Sequence, residues 1–203
     1  MTGPVLITGG AGSVGRRLVD RFSETGVWVR VFDLPTMDFS GLEGRQGVEV
    51  VKGDITDRET VARAIKGVAA VVHLAALLPP YSERNRDATF AINVGGTGNI
   101  VAELESGSPD ATMVFTSSVS TYGDTSSDTP PVFAGHPQSA IDIYADSKIA
   151  GEARIRASSL KTVSLRIAGV AVPAFLEPPA VWPFMPDQRV EMVHRDDVVQ
   201  ALF

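Results

Sequence analysis

Short apolar runs alternate with amphipathic stretches along most of the chain. The apolar runs that predict strands lie at 5–8, 27–33, 48–51, 68–74 and 112–118. The stretches between them carry apolar residues at helical spacing, as in Val14, Leu18, Val19 and Phe22. Strands that alternate with helices in this way form a parallel sheet with helices on both faces. The sequence therefore predicts an α/β fold with a doubly wound parallel sheet of the Rossmann type.

A glycine-rich turn joins the first predicted strand to the first predicted helix. Gly9, Gly12 and Gly15 recur at three-residue spacing, and Gly10, Gly12 and Gly15 fit the general dinucleotide fingerprint. Glycine lets the backbone approach a phosphate, and a helix N-terminus offers N–H groups and a partial positive charge. An ordinary tight strand-to-helix turn would show the same glycines, so the residues downstream must decide between the two interpretations.

Composition limits the classes of partner and chemistry. The chain of 203 residues has a net charge of −6 and no basic block, which disfavours a nucleic-acid partner. It contains no cysteine, which excludes disulfides and thiolate catalysis, and its three histidines lack metal-ligand spacing. No apolar run approaches the ~20 residues of a membrane span, and no apolar leader precedes the first strand. We expect a cytoplasmic protein without a metal site or a membrane partner.

An acidic residue closes the second predicted strand. Asp33 lies about 20 residues beyond Gly12, where dinucleotide-binding folds place a carboxylate for the adenosine ribose hydroxyls. Its charge would repel a 2′-phosphate, and no Arg or Lys directly follows it. The sequence therefore favours NAD over NADP, although a surface acid at a strand end would give the same pattern.

Hydroxyl groups and a Tyr/Lys pair follow the fifth predicted strand. The strand ends in Ser117 and Ser118, and Tyr144 and Lys148 lie four residues apart, on one face of a helix. A cation beside a phenol favours phenolate, so we expect Lys148 to lower the pKa of Tyr144. Such a tyrosine exchanges a proton with a hydroxyl or carbonyl, and a serine opposite it holds the same oxygen. The order of these features predicts hydride transfer between NAD and the attached carbon.

Several segments together resemble the extended short-chain dehydrogenase/reductases, the NAD-dependent epimerase/dehydratase family. The matching segments span about residues 5 to 166 and comprise 8–15, Asp33, 53–55, 73–76, 93–97, 117–123 and 144–148. The resemblance implies Ser118, Tyr144 and Lys148 as the catalytic residues. It also implies a homodimer formed through the long helix near residues 84–105 and the helix that carries Tyr144.

The resemblance implies a set of cofactor contacts as well. Asp54 and Ile55 would contact adenine, and Ser117 would face the nicotinamide. The predicted cofactor-binding residues are Gly9, Gly12, Ser13, Val14, Gly15, Asp33, Asp54, Ile55, Leu74, Ala75, Ala76, Asn93, Ser117, Tyr144 and Lys148. His73 is interpreted as a buried, hydrogen-bonded strand histidine rather than a catalyst. Asn93 either satisfies its amide within a helix or holds a backbone group near the site.

Two departures from the family pattern bear on the reaction and the substrate. Family dehydratases carry an Asp-Glu pair directly after the strand-end hydroxyl, where this chain has Val119 and Ser120, which disfavours elimination of water. Gly169 stands where the family often has an asparagine that holds a nucleotide-sugar, and Ala171 replaces a tyrosine. Both changes weaken the interpretation of a nucleotide-sugar substrate.

The C-terminal part is shorter than the resemblance implies. We expect an NAD-binding domain over residues 1–168 and a short substrate-binding segment over residues 169–203. A Pro-rich stretch at 173–186 lies within this segment and carries Phe175, Trp182, Phe184 and Met185. A minimal substrate lid, a truncation relative to a longer parent and a site completed by a partner all fit this pattern.

Three functions fit these observations. The first is an NAD-dependent oxidoreductase or epimerase that acts by hydride transfer on a secondary alcohol or ketone of a sugar or nucleotide-sugar. The second is a net NAD(P)-dependent dehydrogenase or ketoreductase of a small non-sugar hydroxy or keto compound, with the same catalytic residues. The third is a non-catalytic dinucleotide sensor, which the presence of Tyr144 and Lys148 argues against.

Overall fold

A parallel sheet of six strands forms the centre of the fold in a computed structural model, which describes residues 3–171 and 191–203. The strands are β1 (Val5–Thr8), β2 (Val29–Asp33), β3 (Val48–Lys52), β4 (Ala70–His73), β5 (Thr112–Ser118) and β6 (Lys161–Ile167). Their spatial order is β3-β2-β1-β4-β5-β6, and every pairing is parallel. The predicted doubly wound sheet is confirmed, and β6 is a strand that the hydrophobic pattern did not predict.

Helices cover both faces of this sheet. The helices are α1 (Ser13–Glu24), α2 (Arg58–Ile65), α3 (Arg86–Phe90), α4 (Thr97–Gly107), α5 (Ile143–Arg156) and α6 (Arg195–Leu202). Successive strand residues point to opposite faces. Leu6 therefore packs in one buried cluster with residues of α2, α4 and α5, whereas Val5 and Ile7 pack in a second cluster with residues of α1 and α6.

The strand order reverses between β1 and β4. The chain builds β1, β2 and β3 towards one edge, then returns to the centre and builds β4, β5 and β6 towards the other. Connections leave the carboxyl ends of β1 and β4 in opposite directions, which opens a crevice at that point, and open α/β sheets bind their ligands there. The glycine turn after β1 and the residues after His73 lie at this crevice.

A π-helical turn interrupts the helix predicted over about residues 84–105. The turn covers Ala91–Gly96 and connects α3 directly to α4. Gly96 lies in this turn, where a Cβ atom would stand 2.6 Å from Ile55 Cγ2. The glycine therefore permits close packing of the turn against the loop that follows β3.

A second, two-stranded parallel sheet pairs β7 (Gly169–Ala171) with β8 (Met192–His194) and leads into α6. The Pro-rich stretch at 173–186, with its four large apolar residues, lies outside the described residues. The division into domains at residue 168 stays a prediction. Across the two described ranges, every helix is too short or too polar to cross a bilayer.

Candidate active site

Backbone segments approach one another closely in the glycine turn after β1, whereas the space beside Gly12 is open. A Cβ atom on Gly15 would stand 2.4 Å from the Gly9 carbonyl oxygen, and one on Gly9 would stand 2.9 Å from Ala75 N. At Gly12, the N-cap residue of α1, the nearest atom to such a Cβ is the Gly9 carbonyl oxygen at 3.2 Å, with no other within 4 Å. The N-terminus of α1 is thus approachable, as the pyrophosphate of a dinucleotide requires.

Asp33 closes this turn from the end of β2. Its Oδ2 accepts a hydrogen bond from Ala11 N at 3.0 Å, and its Oδ1 accepts one from Leu34 N at 2.9 Å. Arg16, which no sequence motif indicated, donates to the carbonyl oxygens of Ala11 (2.9 Å) and Ser40 (2.8 Å). Asp33 therefore lies against the predicted phosphate site, and Arg16 fixes the loop that follows it.

The loop after β3 holds the two residues predicted to contact adenine. Ile55 is buried, whereas Asp54 is exposed and accepts hydrogen bonds at Oδ1 from the backbone N and the hydroxyl of Thr56, both at 2.8 Å. Asn99 Nδ2 donates to the Ile55 carbonyl oxygen at 3.0 Å. This bond ties the loop to α4 and fixes its position at the edge of the crevice.

His73 is buried in a chain of hydrogen bonds. The Thr97 hydroxyl donates its proton to the Asn93 carbonyl oxygen (2.6 Å), so its oxygen accepts from His73 Nε2 (2.9 Å). Because Nε2 carries the ring proton, His73 Nδ1 accepts from the Thr8 hydroxyl (2.6 Å). Burial, with the charge of Lys148, lowers the pKa of His73 to about 3. The ring is therefore neutral at physiological pH and links β1, β4 and α4, as expected for a structural histidine.

The Asn93 side chain holds the loop that follows β4. Its Oδ1 accepts from Leu77 N (2.7 Å), and its Nδ2 donates to the Leu77 carbonyl oxygen (3.1 Å) and to Ser147 Oγ on α5 (2.9 Å). Of the two alternatives, the structure supports the one in which Asn93 holds backbone. The predicted cofactor-lining residues 74–76 are half-buried between β4 and this clamp.

Tyr144 and Lys148 lie on α5, beside the end of β5. The Lys148 side chain is 3% exposed, and its Nζ donates to the Thr116 carbonyl oxygen at 2.8 Å and lies 5.7 Å from the centre of the Tyr144 ring. Ser118 ends β5, and its Oγ accepts from Ser120 N (3.1 Å) and from Ser120 Oγ (2.8 Å). The structure thus anchors the predicted Tyr/Lys pair to the strand that carries the predicted catalytic serine.

The predicted lowering of the Tyr144 pKa is wrong for the protein on its own. Burial raises the pKa of Tyr144 to about 12, and the carboxylate of Asp142 adds to the shift. Burial lowers the pKa of Lys148 to about 8, against the opposing effect of Glu152. The cost of removing a phenolate from water therefore dominates the pKa of Tyr144, and residue spacing does not reveal this burial.

Ser117 points into the interior rather than towards the crevice. It is buried on the same face of β5 as Met113 and Phe115, and its hydroxyl donates to Glu152 Oε1 at 2.5 Å. The expectation that Ser117 faces the nicotinamide is not supported by this placement. Because side chains alternate along a strand, the Ser118 hydroxyl does not share this contact with Glu152.

A partly buried ion pair between Glu152 and Arg166 was not predicted. Arg166 on β6 donates from Nε to Glu152 Oε1 (2.9 Å) and from Nη2 to Oε2 (2.7 Å), and its Nη1 donates to Tyr122 Oη (2.9 Å). The available sequence signal is that Glu152 follows Lys148 by four residues and shares its helix face. The pair joins α5 to β6 and holds the Lys148-bearing face of α5 against the sheet.

Comparison with known proteins supports the resemblance inferred from the sequence motifs. A family model described as the NAD dependent epimerase/dehydratase family matches residues 5–178. The 3β-hydroxysteroid dehydrogenase/Δ5→4-isomerase of Mycobacterium tuberculosis is 40% identical over 105 residues, which cover 49% of this chain and 27% of that protein.

Two solved structures are similar over most of the chain. A short-chain dehydrogenase/reductase superfamily protein from Agrobacterium tumefaciens with bound NAD is 33% identical, with a TM-score of 0.71 over 82% of this chain and 49% of that one. The Bordetella bronchiseptica enzyme WbmG in complex with NAD and UDP is 26% identical, with a TM-score of 0.82 over 97% of this chain and 66% of that one.

The matches thus span about a quarter of the length of the Mycobacterium relative and about half of the Agrobacterium one. The family match nevertheless covers both halves of the sheet, from β1 to β7. It confirms the resemblance inferred from the motifs and the assignment to an NAD-dependent enzyme type. The chain belongs to the NAD-dependent epimerase/dehydratase family.

Proposed function

We propose that this protein catalyses NAD-dependent hydride transfer at a secondary alcohol or ketone, with Tyr144 as the group that exchanges the proton. The observation that carries the proposal is the bond from Lys148 Nζ to the Thr116 carbonyl oxygen, which holds the Tyr/Lys pair of α5 beside the end of β5. The glycine turn and Asp33 lie at the same carboxyl edge of the parallel sheet. NAD is the cofactor that the family description names, and two similar structures hold it. Bound NAD would supply the hydride acceptor and, in its oxidised form, a positive charge near the phenol.

Different residues at this edge of the sheet would hold different parts of the cofactor. The N-terminus of α1 at Gly12 suits the pyrophosphate, and the Asp33 carboxylate suits the ribose hydroxyls. Asp54 and Ile55 would contact the adenine, and residues 74–76 would line the remainder of the dinucleotide. Ser117 would contribute through its backbone, because its hydroxyl is bound to Glu152.

The proton chemistry follows from Tyr144, Lys148 and Ser118. With a pKa of about 12, the Tyr144 phenol is protonated at neutral pH and can donate to a carbonyl oxygen during reduction. For oxidation, the phenol must lose its proton, and added positive charge close to its oxygen favours that loss. The Ser118 hydroxyl would hydrogen-bond the same substrate oxygen and stabilise charge on it.

A sugar or nucleotide-sugar is the first candidate substrate. WbmG, which covers 97% of this chain at a TM-score of 0.82, was crystallised with NAD and UDP. Epimerisation would return the hydride to the opposite face of the same carbon, without net formation of NADH. Gly169 weakens this candidate, because it has no side-chain amide to bind the substrate and lies at the exposed start of β7.

A non-sugar alcohol, such as a 3β-hydroxysteroid, is the second candidate. The relative that is 40% identical is described as a 3β-hydroxysteroid dehydrogenase. Large apolar side chains are exposed on the loop after β4 and on the connection into α5: Leu78, Phe133 and Ile141. Exposed apolar groups beside a crevice suit an apolar ligand.

An assay with three alcohols separates the candidates. The protein is incubated with NAD and, in turn, UDP-glucose, UDP-N-acetylglucosamine and dehydroepiandrosterone, and both NADH absorbance and products are followed. Net NADH with one alcohol indicates a dehydrogenase, whereas conversion of a UDP-sugar to its epimer without net NADH indicates an epimerase. NAD binding without turnover of any of these alcohols would favour the non-catalytic dinucleotide sensor.

The homodimer through α4 and α5 stays a prediction.

Substitution of Tyr144 tests its proposed role directly. We expect Tyr144→Phe to lower kcat by about a hundred-fold or more, because it removes the proton donor and keeps the ring. Tyr81→Phe is the matched control, since it removes an exposed phenol from the loop beside the crevice. Full activity of Tyr144→Phe would refute the role of Tyr144.

A further inference from the structure

The carboxylate of Glu83 lies at the N-terminus of α5. Its Oε2 accepts from Ile143 N at 2.9 Å, and its Oε1 accepts from Tyr144 N at 3.1 Å. Asp142, the N-cap residue of α5, accepts from Ala145 N at 2.6 Å. The first N–H groups of a helix have no partner within it. Here a residue 60 positions earlier in the chain accepts from two of them.

Glu83 is itself fixed by the loop that carries it. The Ser82 hydroxyl donates to Glu83 Oε1 at 2.8 Å, and the Ser82 carbonyl oxygen accepts from the Thr89 hydroxyl of α3 at 2.8 Å. The other end of the same loop is Leu77, which the Asn93 amide binds. The loop between Leu77 and Glu83 is therefore tied at both ends to the elements that surround Tyr144.

The charge on Glu83 suits this location. Burial opposes its ionisation, but hydrogen bonds from the Ser82 hydroxyl and from the Ile143 and Tyr144 N–H groups outweigh burial and lower its pKa. Glu83 is therefore a carboxylate at neutral pH. A negative charge beside the first turn of a helix is stabilised by the partial positive charge there.

We propose that Glu83 is a positioning residue for Tyr144. Tyr144 lies in the first turn of α5, which frays easily, whereas Lys148 lies one turn later and is anchored to the Thr116 carbonyl oxygen. Loss of the Glu83 bonds would therefore move the phenol relative to Lys148 and Ser118 without moving Lys148. This inference rests on the proposed proton exchange by Tyr144.

Three variants test the proposal. Glu83→Ala removes both acceptors, and Glu83→Gln keeps the shape but leaves one acceptor oxygen for two N–H groups. Glu105→Ala is the matched control: Glu105 Oε1 accepts from Ser159 N (2.9 Å) and Ser159 Oγ (3.0 Å), just beyond the other end of α5. Amide exchange at Ile143 and Tyr144 is measured with saturating NAD, and kcat and KM for NAD are measured with UDP-glucose and dehydroepiandrosterone.

We expect Glu83→Ala to speed exchange at both amides by about ten-fold or more. We expect kcat to fall about ten- to a hundred-fold with KM for NAD unchanged, because displaced reacting groups slow chemistry while the NAD site is intact. The exchange rates and kcat of Glu83→Gln should lie between those of Glu83→Ala and the wild type. Glu105→Ala should match the wild type in exchange at these two amides and in kcat.

Two results would overturn the proposal. One is unchanged exchange at Ile143 and Tyr144 in Glu83→Ala. The other is an equal loss of kcat in Glu105→Ala, which would mean that general loosening of α5 is responsible. Failure of the proposed function would give a different result. Tyr144→Phe would then retain full turnover, while Glu83→Ala would still speed amide exchange at Ile143 and Tyr144.

Discussion

Asp33 shows how one carboxylate at a strand end serves the fold and a ligand together. Each of its oxygens accepts one backbone N–H, from Ala11 and from Leu34. A carboxylate has about four lone-pair sites, so acceptors remain for the ribose hydroxyls of NAD. The same negative charge would be unfavourable beside a 2′-phosphate, so we propose that Asp33 sets the preference for NAD over NADP.

We expect Asp33→Ser to reduce the preference for NAD over NADP by about ten-fold or more, which corresponds to about 1.4 kcal/mol. The neutral hydroxyl removes the repulsion of the 2′-phosphate and gives up ribose hydrogen bonds. Binding of both cofactors is measured by titration calorimetry. Asp38→Ser, which removes an acid from the following loop, should keep the wild-type preference. Equal affinity of the unmodified protein for both cofactors would show that Asp33 does not face the ribose.

At the scale of elements, the β1–α1 turn and the helix it begins are built by close backbone approach. Gly15 permits the first turn of α1 to pack on Gly9 and Gly10, since a Cβ atom there would stand 2.4 Å from the Gly9 carbonyl oxygen and 2.6 Å from Gly10 Cα. Both neighbours are backbone atoms, so they cannot rotate away as a side chain would.

Gly15→Ala is therefore expected to displace α1 from the turn. We expect the free energy of unfolding to fall by about 2 kcal/mol, as for overpacked cores, and NAD affinity to fall with it. Urea denaturation and NAD titration measure the two effects. Gly107→Ala at the end of α4 is the control, because its Cβ would meet no atom within 4 Å. Wild-type stability and NAD affinity in Gly15→Ala would contradict this account of the turn.

At the scale of the whole molecule, His73 joins the two halves of the sheet. Its ring bonds Thr8 on β1 and Thr97 on α4 and is 1% exposed. The folded-state pKa of about 3 lies below the ordinary value of 6.5, so the unfolded chain binds a proton that the folded protein rejects. Its contribution to stability is complete above pH 6.5 and is lost as the pH falls towards 3.

We expect the free energy of unfolding to fall by about 2 kcal/mol between pH 6.5 and 5 on account of His73 alone. Urea denaturation across this range measures the slope. His73→Gln should be less stable at neutral pH, and its free energy of unfolding should depend less steeply on pH. A slope that is unchanged in His73→Gln would assign the pH dependence to other groups.

Much of the fold and of the candidate site follows from local patterns. Strand and helix periodicity predicted five strands of the sheet, because burial imposes that periodicity wherever an element packs on one face. Asp33 and Ser118 both lie at the carboxyl edge of the sheet because each ends a parallel strand. Tyr144 and Lys148 were paired because four residues make about one helical turn.

Contacts between distant residues required the tertiary structure. The bonds from Glu83 to Tyr144 N, from Ser117 to Glu152 and from Glu152 to Arg166 join residues that no period relates. Each arises from how helices and loops pack on the sheet, and that packing is not encoded in any single segment.

The sequence by itself determined the family, the doubly wound sheet, NAD as cofactor and the order of the proposed reacting groups, since each depends on residue type and spacing within short segments. Only the tertiary structure decided the pKa of Tyr144, the inward direction of Ser117 and the support of α5 by Glu83. These depend on burial and on groups brought together from distant parts of the chain, because the energy of a charge is set by everything that surrounds it.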